Sequence, residues 1–184
     1  MKHLSDMTLE ELWQLFPIIL TKPDPRWEGW YREEEALLRR ELPPVFALRI
    51  HHIGSTAIRG IWAKPIVDIL VEAAPGVCLA DADKALTRAG FRCMSAGEER
   101  RSYNKGYTPE GFAEKVFHLH LCHAGEQNEL LFRDYLNAHP EDAKAYEMLK
   151  LSLWEPYEHD RDGYTAAKTA FVQETLRRAR SEAE

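Results

Sequence analysis

The sequence contains little cysteine, and its spacing marks neither a metal site nor a redox site. The 184 residues include only 3 cysteines, Cys78, Cys93 and Cys122, and no two of them form a C-x-x-C pair. This odd number of scattered cysteines excludes a disulfide framework and is typical of reduced thiols in a reducing compartment.

Long apolar runs and a secretory signal are also missing. The longest apolar stretch, around Ile66, is too short to cross a bilayer. The first residues, Met-Lys-His-Leu-Ser-Asp, lack the apolar centre and small-residue cleavage site of a signal peptide. We therefore expect a cytoplasmic protein with no membrane partner.

The chain has no excess of positive charge, since 24 Lys and Arg residues face 30 Asp and Glu residues, for a formal net charge of -6. Proteins that bind nucleic acids mainly through the phosphate backbone need a positive surface, so nucleic acid is not an expected partner. The 45% hydrophobic and 29% charged residues indicate a folded globular chain rather than a disordered or membrane protein. A small-molecule or protein substrate fits this composition.

Hydrophobic periodicity and turn residues predict an α+β fold with one domain over residues 1–184. We expect N-terminal helices in residues 1–44, a mixed sheet of about four or five strands in residues 45–122, and C-terminal helices in residues 123–184. Apolar residues recur at helical spacing in residues 8–16, 26–42, 79–89, 126–138, 140–154 and 165–180. Strand patterns fall in residues 45–53, 66–71, 91–94, 101–105 and 115–122.

Shorter segments carry more specific expectations. Residues 18–20 are either a strand or an extended linker, residues 95–101 form a loop, and residues 109–111 form a turn. Asp24 is the expected cap of the second helix, and Asp162 or Thr165 is the expected cap of the last.

One carboxylate stands in an apolar strand, in Ile66-Val67-Asp68-Ile69-Leu70-Val71. Such an aspartate either sits buried at a cost, paired with a base such as Lys64 or Arg59, or faces a cation or a cluster of donors. Upstream, Gly54-Ser55-Thr56 offers close backbone approach, hydroxyls and N–H groups of the kind that hold phosphate oxygens. An ordinary turn with a serine or threonine cap is the simpler interpretation of the same residues.

Together these residues resemble a known signature. Gly54-Ser55, twelve intervening residues and Asp68 between aliphatics are similar to the motif of polymerase-β-like nucleotidyltransferases. The longer string of residues 52–69, His-Ile-Gly-Ser-Thr-Ala-Ile-Arg-Gly-Ile-Trp-Ala-Lys-Pro-Ile-Val-Asp-Ile, resembles the GrpB branch of that superfamily. The resemblance continues in Phe132-Arg133-Asp134-Tyr135-Leu136, His139-Pro140, Tyr146, Leu149-Lys150, Asp160-Arg161 and Tyr164-Thr165-Ala166-Ala167-Lys168.

The resemblance implies a nucleotidyltransferase-like fold and the transfer of an NMP group from a metal-bound NTP to a small-molecule or protein acceptor. Asp68 would hold Mg or Mn and bridge the phosphates. His118 and His120 lie on one side of the strand 115–122, where they would either ligate the metal or act as a general base. Histidine ligation, at His120 together with Asp68, would favour zinc. The candidate phosphate-binding residues are Gly54, Ser55, Thr56, Lys64, Arg101, Arg133, Lys150 and Lys168, with Lys105, Arg161 and Tyr164 as further candidates.

The sequence departs from the superfamily at one position, because the second carboxylate would fall at Leu70. Glu72 shares that side of the strand, but at roughly 13 Å from Asp68 it is too far away to replace the missing ligand. This departure leaves two alternatives to a nucleotidyltransferase. One is a nucleotide- or phosphometabolite-binding protein without catalysis. The other is a metal-dependent hydrolase built on Asp68, His118 and His120. Cys122, on the same side as the histidines, fits a small buried apolar residue.

Overall fold

The computed structural model describes residues 3–125 and 127–183. Five strands form its sheet: β1 Arg49–Ile53, β2 Val67–Ala73, β3 Arg92–Ala96, β4 Arg100–Thr108 and β5 Gly111–His123. The helices of the described residues are α1 Leu9–Leu15, α2 Arg26–Glu41, α3 Asp83–Arg88, α4 Asn128–Ala138, α5 Pro140–Trp154, α6 Arg161–Ala167 and α7 Thr169–Ala183.

The sheet has the order β1-β2-β5-β4-β3 and is mixed. Strands β2 and β5 run parallel in its centre, whereas the other neighbouring pairs are antiparallel. The predicted α+β class, with C-terminal helices packed on a mixed sheet, is confirmed.

The two faces of the sheet have different chemistry because side chains alternate along β2 and β5. Ile69, Val71, Leu119 and Leu121 point into the main core, where they pack with apolar side chains of α2 and α3. The other face carries Asp68 and His118, together with a small apolar cluster of Ile53, Leu70 and Cys122. Polar groups therefore gather on one face, and the main core lies on the other.

Most of the predicted elements are confirmed, and helix α1 begins with a capping box between Thr8 and Glu11. Helix α2 follows the prediction, although its N-cap is Pro25, while the Asp24 carboxylate accepts a hydrogen bond from the Arg26 N–H at 2.9 Å. Residues 18–20 are extended outside the named strands, and the bridge nearby joins Thr21 to Ala63. The first residue of the predicted helix 126–138 lies outside the described residues.

Several predicted boundaries were wrong; for example, β4 continues to Thr108 and β5 already begins at Gly111. The first strand begins at Arg49, because Pro44–Phe46 forms a 3-10 turn after Pro43. The predicted loop 95–101 is mostly strand, because β3 continues to Ala96 and β4 starts at Arg100. The last predicted helix is two helices, α6 and α7, and the carboxylate that caps α6 belongs to Asp160 rather than Asp162 or Thr165.

None of the helices in the described part of the chain is both long and apolar enough to span a membrane.

Candidate phosphate-binding site

The glycine turn and the strand aspartate meet because of the register between β1 and β2. Ile53, the last residue of β1, pairs with Asp68, so the chain turns at Gly54 directly beside that carboxylate. Gly54 has a φ of +70°, and a Cβ atom there would lie 2.3 Å from Asp68 Oδ2. Only a residue without a side chain allows this approach.

Asp68 lies at the end of a chain of hydrogen-bonded groups. Its partner across the parallel strands is His118, whose Nδ1 lies 3.2 Å from Asp68 Oδ1. The other ring nitrogen of His118 is 2.7 Å from the hydroxyl of Tyr107, and that hydroxyl accepts a hydrogen bond from Arg161 at 3.1 Å. Burial raises the pKa of Asp68, but the His118 hydrogen bond and the nearby His118, His120 and Lys64 outweigh it and lower the pKa overall. Asp68 therefore favours its ionised form.

A cavity of about 220 Å³ opens beside this carboxylate. Its walls come from the glycine turn, β2, β5 and the C-terminal helices, which places residues that are distant in sequence around one space. The residues that line it are Gly54, Ser55, Lys64, Ile66, Asp68, His118, Phe132, Tyr146 and Lys168.

Two ammonium groups at this cavity form no ion pair with any described residue, although the negative charge of Asp68 acts on both. Lys64 and Lys168 both lie over the ring of Tyr164, with Nζ 5.6 and 4.2 Å from its centroid, and neither takes part in an ion pair or hydrogen bond within residues 3–125 and 127–183. Burial lowers the pKa of each to about 8. Positive groups that are partly desolvated and unpaired bind a multiply charged anion strongly, because the anion supplies the missing counter-charge.

The turn that precedes Lys64 is held from the C-terminal helices. Asn137 Oδ1 accepts a hydrogen bond from the Arg59 N–H at 3.0 Å, and Asn137 Nδ2 donates one to the Ala57 carbonyl at 3.0 Å. Further along, Glu147 accepts a hydrogen bond from the Trp62 N–H at 2.8 Å, while the Lys150 ammonium donates to the Trp62 carbonyl. Both sides of the Trp62 peptide are therefore bound by α5, two residues before Lys64.

His120 lies next to this cavity without lining it. It faces a larger groove, which it shares with His118, Lys64 and Arg161. Burial lowers the pKa of His120, and the negative charge of Asp68 raises it by less. A neutral imidazole with no hydrogen-bond partner among the described residues can accept a proton.

Four predicted phosphate contacts lie away from the cavity. The Thr56 hydroxyl donates to the Ile66 carbonyl at 3.3 Å and lies 2.9 Å from His52 Nε2. Arg133 Nη1 donates to the His52 carbonyl at 2.8 Å, on the same outer side of the turn. Lys150 is buried, and its ammonium is bound to Trp62 as described above.

Arg101 is the fourth, and it lies on the opposite face of the sheet. Its guanidinium forms an ion pair with Asp83 at 2.7 Å and donates to the Tyr103 hydroxyl at 3.0 Å. Lys105, a further candidate, is paired with Glu34 at 2.8 Å. These two basic residues serve the packing of α2 and α3 against the sheet.

The donor set beside Asp68 is small for a metal ion. No three His, Cys, Asp or Glu side chains in the described part of the chain are grouped so that they could hold one. Leu70, at the position of the second carboxylate, is fully buried in the apolar cluster with Ile53 and Cys122. Glu72 accepts hydrogen bonds from Arg49 and His51 instead. Magnesium commonly needs only one or two carboxylates when phosphate oxygens and waters complete its shell, so Asp68 alone fits that ion and not a site with three protein ligands.

Sequence reasoning missed several contributors to the site. Tyr107 bridges His118 and Arg161, Tyr146 lines the cavity together with Ser55, and Asn137 and Glu147 hold the turn. Tyr146 and Lys150 share a face of α5 at i, i+4 spacing, so that spacing could have linked them. No local pattern marks Tyr107, because its contact depends on the pairing of β4 with β5.

The fold and the cavity define a class: an α+β protein whose mixed sheet presents a glycine turn and a single strand aspartate to a basic cavity. The chain belongs to the GrpB family, since the profile described as "GrpB protein" matches residues 17–178. The glutamate-rich protein GrpB of Alkalihalophilus pseudofirmus is 35% identical over an alignment of 171 positions, and the alignment covers 86% of this chain and 94% of that protein. A UPF0157 protein of Pseudomonas aeruginosa is 35% identical over 159 residues and covers 85% of this chain.

A solved structure supports the same assignment. The crystal structure of the conserved protein GrpB from Enterococcus faecalis has a TM-score of 0.75 and 27% identity, covering 90% of this chain and 99% of that one. Some relatives are longer, since this chain spans 65% of the length of the P. aeruginosa protein and 43% of that of YqkA from Bacillus subtilis. A protein of Mycolicibacterium paratuberculosis named dephospho-CoA kinase is 27% identical over an alignment of 192 positions, and the alignment covers 89% of this chain and 46% of that protein.

Proposed function

We propose that this protein is a nucleotidyltransferase that binds an NTP by its phosphates and transfers the NMP group to an acceptor. One observation carries the proposal: Gly54, Asp68 and the unpaired ammonium groups of Lys64 and Lys168 line the same cavity. The glycine turn supplies close backbone approach, and the lysines supply the charge that phosphate oxygens need. The match to a protein named dephospho-CoA kinase supports a nucleotide-related role.

Asp68 is the residue whose carboxylate would hold a divalent ion. Magnesium or manganese bound there would join phosphate oxygens and waters and would reduce the charge repulsion met by the attacking group. The ionised state of Asp68, favoured by His118, suits this role. Lys64 and Lys168 would neutralise charge on the phosphates that leave.

The proposed reaction is a displacement at the α-phosphorus. An acceptor oxygen or nitrogen forms a bond to that phosphorus, the bond to the bridging oxygen of the β-phosphate breaks, and pyrophosphate leaves with the electron pair. The acceptor's proton passes to His120, a neutral imidazole beside Asp68. His118, hydrogen-bonded at both ring nitrogens, orients Asp68 and Tyr107.

Pyrophosphate release tests this proposal. Purified protein is incubated with each of the four NTPs, Mg²⁺ or Mn²⁺, and a panel of hydroxyl, amine and protein acceptors, and pyrophosphate is measured by a coupled assay. We expect release with at least one combination, and Asp68→Asn abolishes it while Asp81→Asn, an exposed aspartate in another part of the fold, does not. Wild-type protein that binds no NTP with either metal contradicts the proposal.

A second candidate is a nucleotide-binding protein that has lost transfer, because Leu70 occupies the second carboxylate position inside an apolar cluster. It predicts NTP binding at the same cavity without pyrophosphate release. Measuring affinity and release on the same preparation separates the two candidates. A hydrolase built on Asp68, His118 and His120 receives less support, because these side chains do not group as a three-ligand metal site among the described residues.

A further inference from the structure

A second, larger groove adjoins the phosphate cavity and has no role in the proposed binding of phosphates. Its volume is about 810 Å³, in the range of pockets that hold small molecules. Lys64 and His118 line both spaces, so the groove begins where the cavity ends. A molecule in the groove would therefore meet the wall that carries Asp68, His118 and Lys64.

One wall of this groove is apolar and partly exposed. It is built from Leu9, Leu12 and Trp13 of α1 together with Met94 of β3. Leu9 and Met94 are 55% and 58% exposed, which is unusual for large apolar side chains on neighbouring elements. Apolar surface that stays open beside a polar site is typical of a binding surface.

Basic and polar residues also line the groove. Arg92 and Arg161 line it, and neither forms an ion pair within the described part of the chain, although Arg161 donates to the Tyr107 hydroxyl at 3.1 Å. Lys105 lines it as well, but its charge is taken by Glu34. His120 adds an unpartnered imidazole, and Asp162 is the single carboxylate of the lining. The lining of the groove therefore combines apolar surface with a net positive charge.

We propose that this groove binds the acceptor, and that the acceptor is a small amphiphile with an apolar or aromatic body and an anionic group. The apolar body would lie against Trp13 and Leu12, and the anionic group would pair with Arg92 and Arg161. This arrangement presents the reacting hydroxyl or amine to His120 and the adjoining phosphate cavity. The identification of the ligand as the acceptor rests on the proposed transferase function, whereas its binding in the groove does not.

Indole NMR signals of the full chain test the groove directly. The probe is 2-naphthalenesulfonate, added with saturating tripolyphosphate so that the phosphate cavity is already filled. We expect the Trp13 indole signal, assigned with Trp13→Phe, to shift with saturation while the indole of Trp154, which donates to the Ile18 carbonyl, stays in place. Arg92→Gln and Arg161→Gln should each weaken binding about tenfold, because each loses a charge-assisted contact. Arg88→Gln, in α3 on the other face of the sheet, is the matched control and should bind as the wild type does.

The outcomes are distinguishable from those of the transferase assay. If the Trp13 signal does not respond, or responds equally in the two arginine variants, the groove proposal is overturned even when NTP binds. If the Trp13 signal depends on protein concentration and not on the probe, a second copy covers the groove and the proposal is again overturned. Loss of NTP binding with retained probe binding overturns only the transferase function.

Discussion

Asp68 Oδ2 lies against the backbone of Gly54, so close that a Cβ atom at position 54 would sit 2.3 Å away. This contact fixes the glycine turn to the strand aspartate and leaves no room for a side chain between them. Because Gly54 has a φ of +70° and a ψ of −171°, its backbone lies in a region that is almost exclusive to glycine and that costs other residues about 1–3 kcal/mol.

Gly54→Ala tests this contact. We expect a loss of about 1–3 kcal/mol in the free energy of unfolding, from backbone strain and displacement of Asp68, and at least about tenfold weaker NTP binding. Urea denaturation and calorimetry measure the two effects. Gly29→Ala is the control: no atom lies within 4 Å of a Cβ there, and alanine in the interior of α2 should stabilise the protein by about 0.5–1 kcal/mol. Equal effects of the two substitutions would contradict the assignment.

The meeting of Gly54 with Asp68 could be expected from the sequence only through the resemblance of the motif. Local patterns predicted a strand, a turn and a second strand, and these elements exist. They could not supply the register, in which Ile53 pairs with Asp68 and Asp68 with His118, because register depends on packing across the sheet. The hydrogen bond between His118 and Asp68 therefore became visible only in the structure.

Asp68→Asn should change the pH dependence of stability. The folded protein holds the pKa of Asp68 below its ordinary value of 3.8, so ionisation stabilises the fold above that pH, and the stabilisation is lost as the pH falls through the lowered pKa. We expect the wild type to be more stable than Asp68→Asn at pH 6 and the difference to shrink below pH 3.8. Unfolding by urea between pH 6 and pH 3 measures it. A difference that grows on acidification would refute the stabilising hydrogen bond with His118.

Anion binding should weaken as the pH rises through about 8, because burial lowers the pKa of both Lys64 and Lys168 to about 8. Above that pH the free protein loses the charges that attract phosphate. Without ligand, the two lysines hold more protons in the unfolded chain than in the folded protein between pH 8 and 10.5, because their ordinary pKa is 10.5. The free energy of unfolding should therefore rise with pH across this window.

Titration of tripolyphosphate from pH 7 to pH 9.5 measures the first effect. Lys168→Gln should weaken binding about tenfold at pH 7 and flatten the pH dependence. The control is Lys84→Gln, at an exposed position of α3 on the opposite face of the sheet. It should change neither the affinity at pH 7 nor its pH dependence. A pH-independent affinity in the wild type would contradict the role of the two lysines.

Glu147 should be important for stability although it does not line the cavity. Its buried carboxylate accepts a hydrogen bond from the Trp62 N–H. The substitution Glu147→Ala leaves that donor without an acceptor and removes the negative charge near Lys144 and Lys150. We expect a loss of about 1–3 kcal/mol in the free energy of unfolding. Met148→Ala, at the next and 57% exposed position of α5, should change it by less than about 0.5 kcal/mol. Thermal and urea unfolding of both variants decides the point.

The sequence could not predict which basic residues line the cavity and which have partners elsewhere. Lys64 and Lys168 line the cavity, whereas Arg101 lies on the other face of the sheet in an ion pair with Asp83, and Lys150 binds the Trp62 carbonyl. All four look alike in sequence, because a basic side chain near a motif gives no sign of its partner. Which basic side chain is paired depends on the carboxylates and carbonyls that other segments bring to it, and the tertiary structure alone fixes their positions.

Calorimetric titration with α,β-methylene-ATP and Mn²⁺ tests the central claim most directly, because this analogue can bind the phosphate cavity but cannot release pyrophosphate. The account predicts saturable binding to the wild type, about tenfold weaker binding to Lys168→Gln, and unchanged binding to Lys84→Gln. No binding to the wild type, or equal affinity in Lys168→Gln, would contradict it.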